Sequence, residues 1–212
     1  MKFCRILFIL IILYKSFSVH SEELISDSDY YEKGISHYKN AEFPEAYVVF
    51  FNLANKGDPN SQFNVSNMYS SGIGTTQDYK KALKWAWLCA LGGEKRCIKK
   101  IDLVKEKIDE KSLLDLSTEI PDLLEKKFYD KSDIIYALKL GFWYEKFSPE
   151  IDLEQAYIWY SVSVTGGLYK AMKVRNKVSE IIDAETIVKL QNNANDIYNK
   201  VKFFPKKNKV IK

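Results

Sequence analysis

The chain repeats itself, and this constrains its fold more than any other feature. Laid over itself with Asp78 on Asp152, the sequence also puts Ala82 on Ala156, Trp85 on Trp159, Gly92-Gly93 on Gly166-Gly167 and Val104 on Val178. The register holds without a gap through Ile108-Asp109 on Ile182-Asp183, Leu113 on Ile187 and Leu116 on Leu190. An ungapped match of that extent marks a structural unit used twice. A shorter shift lays Ala46 on Ala82, Val49 on Trp85, Leu53 on Cys89, Ala54 on Ala90 and Gly57 on Gly93, small residue on small residue. A further copy of the stretch Phe63 to Tyr69 carries Leu138, Leu140, Gly141, Trp143 and Tyr144, with a connecting loop one residue shorter.

Inside each unit the apolar residues recur at helical spacing. Ala82, Trp85, Ala86, Cys89 and Ala90 share a face, and the Gly that follows suits the end of a helix. The next face, Phe63, Val65, Ser66, Met68 and Tyr69, is broken by Gly72-Ile73-Gly74, after which Asp78 stands where an N-cap is needed. No stretch after the first twenty-one residues alternates at period two. The pattern predicts an all-α chain of roughly ten helices in about five hairpins, each burying its apolar face only against its neighbours. In the less regular segment Ile98 to Trp143, Leu113, Leu116, Ile120, Leu123 and Leu124 form one stripe, expected to be kinked or split at Pro121.

The first residues read differently. Lys2 and Arg5 precede an apolar run from Ile6 to Leu13, which is a secretory signal layout; Ser16-Phe17-Ser18 and Val19-His20-Ser21 both offer small residues for cleavage, and the second, after residue 21, is preferred. The run is too short to span a bilayer, so no stable membrane anchor is expected. Cys4 precedes the apolar core, which does not support lipid attachment. Export to a periplasm or beyond the cell follows as an expectation. Residues 1–21 hold Lys2, Arg5 and Lys15 and no acid, so the formal +4 falls to 29 basic against 28 acidic side chains without them. Six lysines (Lys200, Lys202, Lys206, Lys207, Lys209, Lys212) lie in the final segment 200–212, leaving a body, 22–199, with 23 basic and 28 acidic groups. That balance does not describe a nucleic-acid-binding surface. The tail reads as a solubilising end, partly disordered, or as a weak contact to an anionic surface.

Across Ala46 to Ala90, and again across Tyr136 to Ala171, the residues resemble the Sel-like repeat, a longer-looped relative of the tetratricopeptide repeat. The pattern is Ser61-Gln62-Phe63-Asn64-Val65-Ser66-Asn67-Met68-Tyr69-x-x-Gly72-Ile73-Gly74, then Asp78-x-x-Lys81-Ala82-x-x-Trp85, then Ala90-x-x-Gly93. Tyr30 to Phe50 looks like a plain tetratricopeptide unit. Ser61 and Cys97 stand where the family usually has Ala, and Phe147 where it usually has Gly. The likeness covers about two thirds of the chain after residue 21. It implies a right-handed α/α superhelical solenoid acting as an adaptor in protein complexes, often in the bacterial envelope, and it implies no reaction.

Cys89 and Cys97 remain once the leader is removed, and export would expose them to an oxidising compartment, where a disulfide is one reading and two small buried residues in a helix pair the other. Some exported members of the resembled family carry disulfide-forming cysteines eight apart, the separation seen here.

Catalytic signals are sparse. His37 is the one histidine after residue 21, which leaves most histidine-based zinc sites without ligands and points to neither a metal nor a cofactor. Gly72-Ile73-Gly74-Thr75 follows a helix and lacks the Gly-Lys-Ser/Thr ending of a phosphate loop. Trp85 and Trp159 recur at a packing position and read as core. Asn60, Asn64, Asn67 and Ser71 share one face of a predicted helix. In tetratricopeptide-type stacks that helix lines the concave surface, and the equivalent positions in the later copy are Lys139, Phe142 and Lys146. These seven residues are the expected contacts for a protein segment held in the groove. The alternative is an enzyme or accessory protein acting on cell-wall material, for which Cys89, Cys97 and His37 are the unusual groups.

Overall fold

The computed structural model describes residues 25–201. The expected leader and all but the start of the lysine-rich tail lie outside the described residues.

Ten α-helices follow one another among the described residues, with no strand. They are α1 (Asp27–Lys39), α2 (Phe43–Lys56), α3 (Pro59–Ser71), α4 (Tyr79–Leu91), α5 (Arg96–Lys105), α6 (Glu110–Lys131), α7 (Ile135–Phe142), α8 (Leu153–Thr165), α9 (Met172–Ser179) and α10 (Ala184–Lys200). The first five pack in sequence, α1 on α2, α2 on α3, α3 on α4 and α4 on α5. The long α6 bridges α4 and α7, and α8 takes α7 on one side and α9 and α10 on the other. The chain is an all-α solenoid of helical hairpins.

The repeat persists in the local chemistry. Asp78, Asp109, Asp152 and Asp183 each precede a helix, and each carboxylate accepts a hydrogen bond from the backbone N–H three positions on, at Lys81 (2.9 Å), Ser112 (2.8 Å), Gln155 (2.9 Å) and Thr186 (2.9 Å). One of the donors orphaned at each helix start is thereby satisfied. The shift that carries Asp78 to Asp152 also carries Asp109 to Asp183, so α4–α6 and α8–α10 are two copies of one unit. Gly93 and Gly167 share the same left-handed φ of 94° after α4 and α8.

Aromatic rings fill the spaces between layers. Trp87 of α4 meets Trp143 edge-on with centroids 5.1 Å apart, both fully buried, and Trp159 meets Phe128 of α6 at 5.4 Å. Trp85 and Trp159 are 7% and 2% exposed, which places both in the core.

Two local features depart from the sequence reading. Pro121 does not split the helix: α6 continues through it. Leu116 and Ile120 on one side of the proline and Leu124 and Phe128 on the other are all buried, and the continuous face they form outweighs the missing backbone donor. Downstream of α7, Gly72 has no counterpart. Gly72 ends α3 at a φ of 71°, but Phe147 occupies the matching position of the later copy, and a bulky side chain disfavours that conformation. The helix instead widens into a π-turn over Trp143–Phe147, and the Ser148 N–H donates to the Trp143 carbonyl at 2.8 Å. The shorter loop still closes on the same contact. The Asp152 N–H donates to the Tyr144 carbonyl (3.0 Å) as the Asp78 N–H does to that of Tyr69 (2.9 Å).

Candidate functional site

The polar stripe of α3 divides on folding. Asn64, Asn67 and Ser71 line a cavity of about 260 Å³ together with Ile35, Tyr38 and Phe50. The Asn64 carboxamide donates to the Tyr31 hydroxyl (3.2 Å), and the Ser71 hydroxyl to the Asn67 carbonyl (2.9 Å). The Asn67 carboxamide is half-buried and has no hydrogen-bond partner among the described residues. Asn60 faces elsewhere, accepting from the Arg96 guanidinium at 2.7 Å across the α3–α5 junction. The cleft therefore combines apolar walls with a free amide.

The equivalent stripe on α7 divides as well. Phe142 sits edge-on to Tyr160 (5.6 Å), with the Lys146 ammonium 5.3 Å from its ring centre and 3.7 Å from Glu145. Lys139, which holds the repeat position of Asn64, turns to the ring of Tyr136 instead, its Nζ 5.7 Å from the centroid. Lys127 and Lys131 of α6 reach the same ring, at 5.9 and 6.0 Å. Sequence reasoning found Lys139 and missed these two. They belong to the irregular segment, where no repeat spacing points to them, and only the packing of α6 on α7 brings them to Tyr136.

Burial pushes the Lys139 ammonium below its ordinary pKa, and the charge of Lys127 adds to the effect. Burial does the same to Lys127, helped by Lys131 and Lys84. Lys84 is itself paired with Glu119. Asp133, the nearest acid in effect on Lys139, accepts from the Ile135 N–H at the start of α7 (3.1 Å) and forms no ion pair with Lys139. Among the described residues Lys127, Lys131 and Lys139 have no carboxylate within ion-pair distance.

The residues that pointed toward chemistry are engaged structurally. Cys89 and Cys97 are joined by a disulfide tying the end of α4 to the start of α5, so neither offers a thiolate. His37 pairs through Nδ1 with Glu42 at 2.5 Å, across the turn between α1 and α2. No group of three His, Cys, Asp or Glu side chains arranged to hold a metal occurs among the described residues. No described helix is long and apolar enough to cross a membrane.

The chain is similar in structure to proteins built from Sel-like repeats. A protective antigen of uropathogenic Escherichia coli displaying an SLR fold aligns at a TM-score of 0.38 with 17% identity, over 82% of this chain and 30% of the antigen. A Sel1 repeat protein from Oxalobacter formigenes aligns at a TM-score of 0.37 with 20% identity, over 86% of this chain and 73% of its own. This chain thus spans less than a third of the antigen's length. No family model and no curated protein matches the chain. The hairpin architecture stands on the helix packing and the repeated caps themselves.

Proposed function

We propose that this protein is a non-catalytic adaptor, exported to the bacterial envelope or beyond the cell, that holds a segment of a partner protein along the α3 and α7 faces of its hairpin stack. The observation that carries this reading is the α3 cleft, where the unpartnered Asn67 amide is set among apolar walls. Such a lining can pair with a peptide backbone while burying a side chain beside it. Lys139 and Phe142 on α7, with Lys146 in the π-turn that follows, add to the contact surface. Two features support export: the charged stub and short apolar run of residues 2–13, and the Cys89–Cys97 bridge, a bond that persists in oxidising compartments. The bridge between Cys89 and Cys97 removes both thiols as nucleophiles for the cell-wall enzyme alternative.

The test is crosslinking and pull-down with the tagged protein from an envelope extract, beside a variant carrying Asn67→Arg and Lys139→Glu and a second ending at Asn199. One protein retained by the parent and by the truncated form, and lost with the paired substitutions, supports the adaptor and names its partner. Retention by the untruncated forms alone, released by salt, would make the lysine tail the binding element and remove the groove from the account.

A further inference from the structure

We infer that Lys127, Lys131 and Lys139, gathered around Tyr136, form a docking site for an acidic protein segment, one that presents Asp or Glu carboxylates to the α6–α7 junction. The inference rests on the adaptor reading and deepens it by giving the partner a chemistry.

Three ammonium groups lie within 6.0 Å of one ring centre, so no two are more than about 12 Å apart. Like charges held that close repel one another, most strongly where the groups are partly removed from water. Lys139 and Lys127 are half-buried. Some lysines of this chain are ion-paired, among them Lys56 with Asp27, Lys80 with Asp115, Lys84 with Glu119 and Lys126 with Asp130. The three at Tyr136 are not, although Asp133 is close enough to act on Lys139. The Asp133 carboxylate is occupied at the start of α7. The face of Tyr136 offsets part of the repulsion, and an external anion would offset the rest.

The occupant follows from how local this charge is. The body between the expected leader and the tail carries 23 basic and 28 acidic groups, so it is net negative as a whole and lacks the broad basic surface that a membrane face or a nucleic acid favours. A short acidic segment meets the patch alone. Lys139 also holds the repeat position that Asn64 holds in the α3 cleft.

Fluorescence anisotropy with the full chain tests this, using a labelled Glu/Ser peptide and the same peptide with every Glu replaced by Gln. Expected are binding of the Glu peptide alone, weakening as salt is raised, and a loss of affinity of about tenfold in the Lys127→Gln/Lys131→Gln variant. Lys139→Met, which keeps the packed stem, should weaken binding similarly. The control pair Lys99→Gln/Lys105→Gln, exposed on α5, should not. Circular dichroism confirms that each variant is folded. Unchanged affinity in both the Lys127/Lys131 and Lys139 variants, equal binding of the Gln peptide, or an equal loss in the control pair would overturn the inference. So would dependence on these lysines of binding to phosphatidylcholine/phosphatidylglycerol vesicles but not to the peptide. If the pull-down above yields no partner while the Glu peptide binds as expected, the adaptor reading falls and the anion site stands.

Discussion

Replacing Gly141 by Ala should destabilise the protein, although alanine is the better helix former. Gly141 lies in α7, and a Cβ built there would press into the ring of Tyr160 on α8, inside van der Waals contact of Cδ1 and Cε1 and 3.0 Å from Cγ. The ring has nowhere to go. Tyr160 is fully buried, its hydroxyl donates to the Glu145 carboxylate, and Phe142 lies edge-on beside it. In a helix interior Gly→Ala alone would stabilise by about 0.5–1 kcal/mol. Overpacking a closed core costs about 1–3 kcal/mol, and the larger figure applies where neither backbone nor ring can yield. The net expectation is a loss of about 2–2.5 kcal/mol, which for a chain of this size lowers Tm by roughly 4–10 °C. Urea unfolding followed by circular dichroism measures it. In a Tyr160→Leu background the same substitution should become neutral or stabilising, which isolates the α7–α8 contact from helix propensity. A Gly141→Ala protein as stable as the parent, or more so, would refute the close crossing of α7 and α8.

Reduction of the Cys89–Cys97 bridge should lower stability by about 2–3 kcal/mol on the chain-entropy account of so short a loop, seen as a drop in Tm with dithiothreitol that the Cys89→Ala/Cys97→Ala variant no longer shows. The capping aspartates should make stability fall in acid. The Ser112 backbone N–H holds Asp109 below its ordinary pKa, the Thr186 N–H does so for Asp183, and in each case the hydroxyl of the same residue adds to it. At Asp78 burial works the other way, but the Lys81 backbone N–H and ammonium outweigh it. A carboxylate depressed in the folded state stabilises above its unfolded value near 3.8 and loses that contribution as pH falls through the lower folded value. The stability difference between the parent and Asp109→Ala/Asp183→Ala should therefore be constant at neutral pH and shrink below about pH 4; a difference that persists undiminished at pH 2 would show that the caps act without their charge.

Much of the fold was legible because repetition writes the same physical requirement more than once. A carboxylate must stand ahead of a helix whose first N–H groups lack partners, so Asp78, Asp109, Asp152 and Asp183 mark the starts of α4, α6, α8 and α10. A small residue or glycine must follow where two helices meet or one ends, so the Gly92-Gly93 and Gly166-Gly167 pairs mark the hairpin turns. Those are local demands, and a linear chain states them openly. The α3 stripe was legible for the same reason, since helical spacing alone puts Asn64, Asn67 and Ser71 on one face.

What the tertiary structure alone decided are the contacts between positions that no spacing connects. In the repeat register Gly141 answers Ser66 and Tyr160 answers Ala86, so the second copy pairs a smaller residue on one helix with a larger one on the next. The absent side chain at Gly141 leaves the space that the Tyr160 ring fills, a condition on pairs that neither residue announces alone. Pro121 stayed inside α6 because burial on both sides of it outweighed the lost donor, and Phe147 forced a π-turn because its loop still had to return Asp152 to Tyr144. Asn60 left the expected groove for Arg96, and Lys127 and Lys131 joined Lys139, because the packing of α5 on α3 and of α6 on α7 set those distances. Local propensity specifies where helices begin and end. Which side chains meet between them depends on close packing in three dimensions.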